Sequence, residues 1–135
     1  MIYAPLIVVE NDDQGFVVKA TQDIQYLTMI CEYSGQVMKF DREAMEDNDS
    51  LMEFITCDDI ELVINPEKYC NLGRFISGIN NNKTYNKFFL ETIKFRIGSY
   101  VHILLYSYKK IPQGETLYYN YNNGEISDCD TRKFI

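Results

Sequence analysis

The chain has 135 residues, 46% of them hydrophobic and 24% charged, with a formal net charge of −7 at pH 7. That is one domain with a real core; it excludes wholesale disorder, and no apolar run approaches the ~20 residues of a membrane span. The negative balance disfavours direct nucleic-acid binding, which needs clustered Lys and Arg against phosphate, and suits a basic peptide partner drawn in by an opposite field.

The N-terminus has no basic region ahead of its apolar stretch, so no secretory signal is read and an intracellular protein is expected. Cys31, Cys57, Cys70 and Cys129 show no Cys-x-x-Cys spacing. Buried free thiols are expected of them, and no metal site.

In chain order, Ile2 to Val9 is rich in Ile and Val and reads as a strand. Asn11-Asp12-Asp13-Gln14-Gly15 reads as a turn, and Phe16 to Ala20 as a second strand. Met29 to Tyr33 and Gln36 to Met38 are apolar segments meeting at Ser34-Gly35, which predicts a kink or bulge. Asp41 to Asp47 reads as a short helix with Asp41 as N-cap. Leu51 to Thr56 and Leu62 to Ile64 are brief apolar segments, the second stopped by Asn65-Pro66.

Phe88 to Ile97 and Tyr100 to Tyr108 form the clearest hairpin. Ile93, Phe95 and Ile97 alternate with Thr92, Lys94 and Arg96, and Gly98-Ser99 suits a two-residue type II′ turn. Ile111-Pro112-Gln113-Gly114 reads as a type I turn. The fold class is mostly β, built of short strands with frequent turns and no internal repeat. His102, the only histidine, has no partner nearby in sequence and reads as structural.

Two stretches fit neither period. Asn71 to Asn82 (Asn-Leu-Gly-Arg-Phe-Ile-Ser-Gly-Ile-Asn-Asn-Asn) combines two glycines, a serine and three consecutive asparagines. That composition suits irregular backbone rich in hydrogen-bonding groups. Gly114 to Gly124 places Tyr118, Tyr119 and Tyr121 within four positions, followed by turn chemistry.

In this order, the two stretches resemble the signature segments of SET-domain lysine methyltransferases. That family's first segment usually reads Arg-Phe-Ile/Leu-Asn-His-Ser and its second Gly-Glu-Glu-Leu-x-Phe/Tyr-Asp-Tyr. Arg74-Phe75-Ile76 and Gly114-Glu115-x-Leu117-x-Tyr119-x-Tyr121 fit, while Ser77-Gly78 stands where Asn-His is usual. The variant Arg-Phe-Ile-Ser-Gly-Ile-Asn-Asn is similar to the small plant trithorax-related enzymes that monomethylate lysine twenty-seven of the histone H3 tail. The likeness runs from about Gly15 to Phe134.

The resemblance implies a SET fold of short strands in several small sheets with a C-terminal pseudoknot. The chain, residues 1–135, is then a single SET domain without zinc-binding cysteine clusters before or after it. Few residues precede Gly15, so the plant enzymes' additional histone-reading segment is expected to be shortened or missing. The resemblance further implies S-adenosylmethionine as donor, a basic peptide, a histone H3 tail, as substrate, and a nuclear location. Tyr121 inherits the catalytic role, Tyr33 the opposite wall of the channel, and Tyr119 the control of how many methyls the amine takes. Gly15, Phe16, Arg74, Phe75, Ile76, Ser77, Gly78, Asn80 and Tyr121 inherit the donor site. Val17 occupies the place of a second glycine usual beside the donor. Two other readings stay open: a silent SET module that only binds peptide, and a methyltransferase of a non-histone lysine.

Overall fold

The computed structural model describes residues 4–45, 47–48, 50–57, 60–79 and 87–121, with residues 55–57 described by backbone only. Among these, ten short strands form three separate sheets.

The first sheet is the hairpin of β1 (Leu6–Asn11) and β2 (Gly15–Ala20). β1 begins later than the Ile-rich run suggests: Pro5 has no N–H to give a ladder, and its carbonyl instead accepts from Thr21 N at 2.8 Å. The turn closes because the Asn11 carboxamide oxygen accepts from the N–H groups of Asp13 and Gln14, both at 3.0 Å. Gly15 leaves that turn at φ +74°, a backbone that residues with a Cβ rarely adopt.

The second sheet has the order β3-β9-β8-β10-β7: β3 (Met29–Glu32), β9 (Tyr100–Ser107), β8 (Leu90–Ile97), β10 (Tyr118–Asn120) and β7 (Ser77–Ile79). β8 and β9 pair in unbroken antiparallel register from Leu90–Ser107 to Ile97–Tyr100. Gly98 at φ +59° fits the type II′ turn at the tip. β10 pairs in parallel with β7 on one side and with β8 on the other. The end of the described chain thus inserts between elements made earlier, the adjacency a C-terminal knot requires; the residues after Tyr121 lie outside the described ones.

The third sheet, β4-β6-β5, comprises β4 (Gln36–Lys39), β6 (Ile60–Asn65) and β5 (Met52–Cys57). The helix α1 (Arg42–Met45) is one turn, capped as expected by the Asp41 carboxylate, which accepts from Glu43 N and Ala44 N. Ser34-Gly35 joins the second sheet to the third. A Cβ on Gly35 would stand 2.6 Å from the Asn65 carbonyl oxygen, so close backbone approach demands glycine there.

Val18, Leu90, Ile103, Leu105, Ile111 and Leu117 are fully buried between the hairpin and the second sheet. Each such side chain contributes roughly 1.5–3 kcal/mol through burial. Ser107 is buried among them with its hydroxyl used: it donates to Gln25 O at 2.6 Å and accepts from Thr28 N at 2.8 Å. That pins the turn leading into β3.

Two local expectations are corrected, for a turn and a cysteine, and a histidine gains a distant partner. The turn after Ile111 runs from Pro112 to Glu115, whose N–H bonds the Pro112 carbonyl at 3.3 Å. Gly114 at its third position has φ +87°, the mark of type II rather than type I. Cys70 is exposed, since it precedes a surface 3-10 turn, whereas Cys31 is partly buried. Cys129 and the Cys57 side chain lie outside what is described. His102 does have a partner, seventy positions away: Nδ1–H donates to the Glu32 carboxylate at 2.6 Å while the ring stacks on Phe95.

Candidate active site

Where the hairpin, the second sheet and the third sheet meet lies a cavity of about 840 Å³, within the range that holds small-molecule ligands. Its floor is the Arg74-to-Gly78 segment. That segment begins as a 3-10 helix (Leu72–Phe75) whose N-cap is Asn71. The Asn71 side chain is fully engaged. Its oxygen accepts from Gly73 N at 3.0 Å, and its amide donates to Glu32 O at 2.7 Å and Ser34 Oγ at 3.1 Å. The 3-10 turn is thereby bound to both residues flanking Tyr33.

Tyr33 enters the cavity from the end of β3. It is 4% exposed, and its hydroxyl donates to the Ser50 carbonyl. Burial, with the neighbouring Tyr121 adding to it, pushes its ionisation well above the ordinary tyrosine range. It stays a neutral phenol across physiological pH.

Tyr119 and Tyr121 come from β10 and the residue beyond it, with ring centroids 6.1 Å apart. Strand alternation turns both to the face opposite Asn120, which is buried with its Oδ1 unpaired among the described residues. The two rings lie over β7 at Gly78, the register partner of Tyr119. A Cβ on Gly78 would stand 2.6 Å from Tyr119 Cζ, 2.6 Å from Tyr121 Cδ2 and 2.7 Å from Tyr119 Oη. Ser77-Gly78 therefore does more than remove side chains from the floor; the second residue makes room for the tyrosines.

Phe16, 55% exposed at the start of β2, meets Phe75 edge-on with centroids 5.8 Å apart. The remaining wall comes from β5, β6, α1 and the link from β4 to α1, and mixes Phe40, Val63 and Met45 with Glu53, Glu61 and Arg42. Glu53 lies 4.0 Å from Lys94, an exposed ion pair worth little. Arg74 donates to the Glu67 carbonyl at 3.2 Å.

Of the residues singled out by sequence, Tyr33, Tyr119, Tyr121, Phe16, Arg74, Phe75, Ile76, Ser77 and Gly78 all line this one cavity. Gly15 does not; it serves the turn, and Gln14 and Asp13 line the cavity beside it. Val17 is buried in the core. Asn80 lies outside the described residues. Sequence reasoning missed Asn71 as an anchor and Tyr118, whose hydroxyl donates to Gln14 Oε1 at 3.0 Å and ties β10 to the turn.

The cavity's chemistry fits a methyl donor of the S-adenosylmethionine kind. The exposed ring of Phe16 and the partly buried ring of Phe75 suit a flat purine, and phenol rings suit a sulfonium, which π-faces attract.

Comparison with known proteins gives one consistent picture. The family profile described as SET domain matches residues 15–122. Histone-lysine N-methyltransferase ATXR6 of Arabidopsis thaliana is 40% identical over 136 residues, covering 97% of this chain and 39% of that protein. Histone-lysine N-methyltransferase ATXR5 of the same plant is 37% identical over 125 residues, covering 90% of this chain and 33% of that protein. The chain thus spans well under half the length of these curated relatives. A crystal structure of ATXR5 in complex with histone H3.1 mono-methylated on arginine twenty-six superposes with a TM-score of 0.82 at 34% identity, over 97% of this chain and 62% of that one. A second, of the ATXR5 SET domain with histone H3 di-methylated at the same arginine, gives 0.84 at 34% identity, over 97% and 63%.

Proposed function

The chain belongs to the SET-domain family, and we propose that it is an S-adenosylmethionine-dependent protein lysine methyltransferase placing one methyl on a lysine of the histone H3 tail. The observation that carries this reading is the convergence of Tyr33, Tyr119 and Tyr121 with the Arg74-to-Gly78 floor on a single cavity. The relatives' names and the histone H3 bound in the similar structures support the reaction and the substrate. A histone substrate makes a nuclear location part of the same proposal. The −7 charge suits a basic tail better than DNA.

In this reading Phe16, Phe75 and the main chain of Arg74 to Gly78 hold the donor. When bound, S-adenosylmethionine supplies a methyl carbon made electrophilic by its sulfonium. The protein's own task is to receive a neutral amine in line with it. Lysine, with pKa ~10.4, is almost wholly protonated at neutral pH, and freeing its lone pair costs about 4–5 kcal/mol. Desolvation in the cavity and the donor's own positive charge nearby lower that cost by disfavouring the ammonium. Tyr33 is not the base, because burial keeps it protonated and its proton is committed to the Ser50 carbonyl. Water carries the proton away. Tyr33 Oη is left with lone pairs to accept from the amine, and Tyr121, opposite, orients it. Holding the reactants in line supplies much of the remaining acceleration.

Tyr119 sets the product. Its hydroxyl, and a water held by it, fill the space a first methyl needs before a second transfer. Calorimetric titration of the donor into purified protein, with and without an H3-tail peptide, tests the reading. Saturable binding strengthened by peptide is expected; no binding at millimolar donor with peptide present would defeat it.

A further inference from the structure

We infer that Gly78 is a positioning residue for the reacting centre: its bare backbone is the seat on which the Tyr119 and Tyr121 rings rest. The inference depends on the methyltransferase reading for its catalytic consequence and on geometry alone for the seat.

β7 and β10 are parallel neighbours with Tyr119 opposite Gly78, so the two side chains leave the same face of the sheet. The tip of Tyr119 leans back across the ladder and lies over Gly78, and the edge of Tyr121 reaches the same spot. All three distances to a Cβ at 78 fall below 3.0 Å, and ordinary contact begins at 3.4 Å. Any side chain there forces both rings to move by several tenths of an ångström. Although β7 is the edge strand of its sheet, its three register pairs with β10 oppose a shift of the backbone instead. β10 is laddered on both sides, and Ile79, next along β7, is fully buried. The rings must lift, and the open side is the cavity they line.

The φ of Gly78 is not in the left-handed region, so conformational freedom is not why glycine stands here. Space is. The consequence is directional. Removing the Tyr119 hydroxyl enlarges the channel, whereas a methyl group at 78 drives that hydroxyl further in. Gly78→Ala therefore slows the first transfer without permitting a second.

The test is a double-mutant cycle on methyl transfer to an H3-tail peptide, using wild type, Gly78→Ala, Tyr119→Phe and the double variant. Gly78→Ala is expected to lower kcat by about tenfold or more, since the displacement is somewhat smaller than the ~1 Å misplacement that costs ~10²-fold, with product still monomethyl. The same change is expected to cost several-fold less in the Tyr119→Phe background, where no hydroxyl is pushed inward. Equal costs in the two backgrounds overturn the inference. Ring resonances of ¹³C-labelled tyrosine provide a readout free of catalysis. Gly78→Ala should shift Tyr119 and Tyr121 and leave exposed Tyr26 and Tyr100 in place. If the wild type transfers no methyl, the enzymatic reading fails while these signals still decide the seat; unshifted Tyr119 and Tyr121 overturn it. Should Gly78→Ala not fold, recovery by Tyr119→Leu supports the seat and continued misfolding contradicts it.

Discussion

The Asn71 amide donates to the Glu32 carbonyl at 2.7 Å, joining the 3-10 turn that starts the cavity floor to the strand end that carries Tyr33. With its further bond to Ser34 Oγ, one side chain holds the backbone on both sides of Tyr33. Asn71→Ala strands Gly73 N–H and the Glu32 carbonyl without this partner. A loss of about 1–3 kcal/mol is expected in a urea melt. Because Tyr33 loses its tether, kcat should fall further than stability explains at a temperature where the variant is fully folded. A folded variant with wild-type kcat would remove Asn71 from the account.

Tyr121→Phe removes one hydroxyl and no packing surface. Methyl transfer should drop at least about tenfold, the rate equivalent of ~1.4 kcal/mol, at a temperature where the variant is fully folded. Single-turnover kinetics separate this from a binding defect. Near-wild-type turnover would contradict the orienting role.

Alkaline stability carries a signature of Tyr33 and of the partly buried thiol two residues before it. Burial first, and then the Glu32 carboxylate, push the Cys31 thiol from 9.0 up to about 12. The folded chain holds that proton more tightly than the unfolded one. Its stabilisation is whole below pH 9.0 and is lost as pH rises toward about 12. Tyr33, also raised, adds a loss in the same direction starting near the ordinary tyrosine value of 10.0. Denaturant melts across this window should show a later, shallower decline for Cys31→Ala than for wild type. An identical decline would place the thiol in solvent.

What sequence made legible was local. Gly98-Ser99 announced its turn because one residue carries the positive φ, and the alternation from Ile93 to Ile97 announced the strand beside it. Asp41 announced its own cap. The site's membership was legible through the two signature stretches. The reasons for it were not, because they are contacts between distant segments. Asn71 meets Glu32 across thirty-nine positions, and His102 meets Glu32 across seventy. Gly78 reads as a missing side chain until Tyr119 and Tyr121 are laid on it. Cys70 reads as buried by residue type and is exposed by its place before a surface turn.

The proposed site requires that a lysine take one methyl and that Tyr119 set this limit. Time-resolved mass spectrometry of a single-lysine H3-tail peptide, with donor and either wild type or Tyr119→Phe, tests it most directly. The wild type should stop after one methyl. Tyr119→Phe should go on to two, since without the hydroxyl the water in the second methyl's place is loosely held and cheap to displace. A well-folded Tyr119→Phe protein with an unchanged ratio of mono- to dimethyl product would contradict the account and take Tyr119 out of the active site.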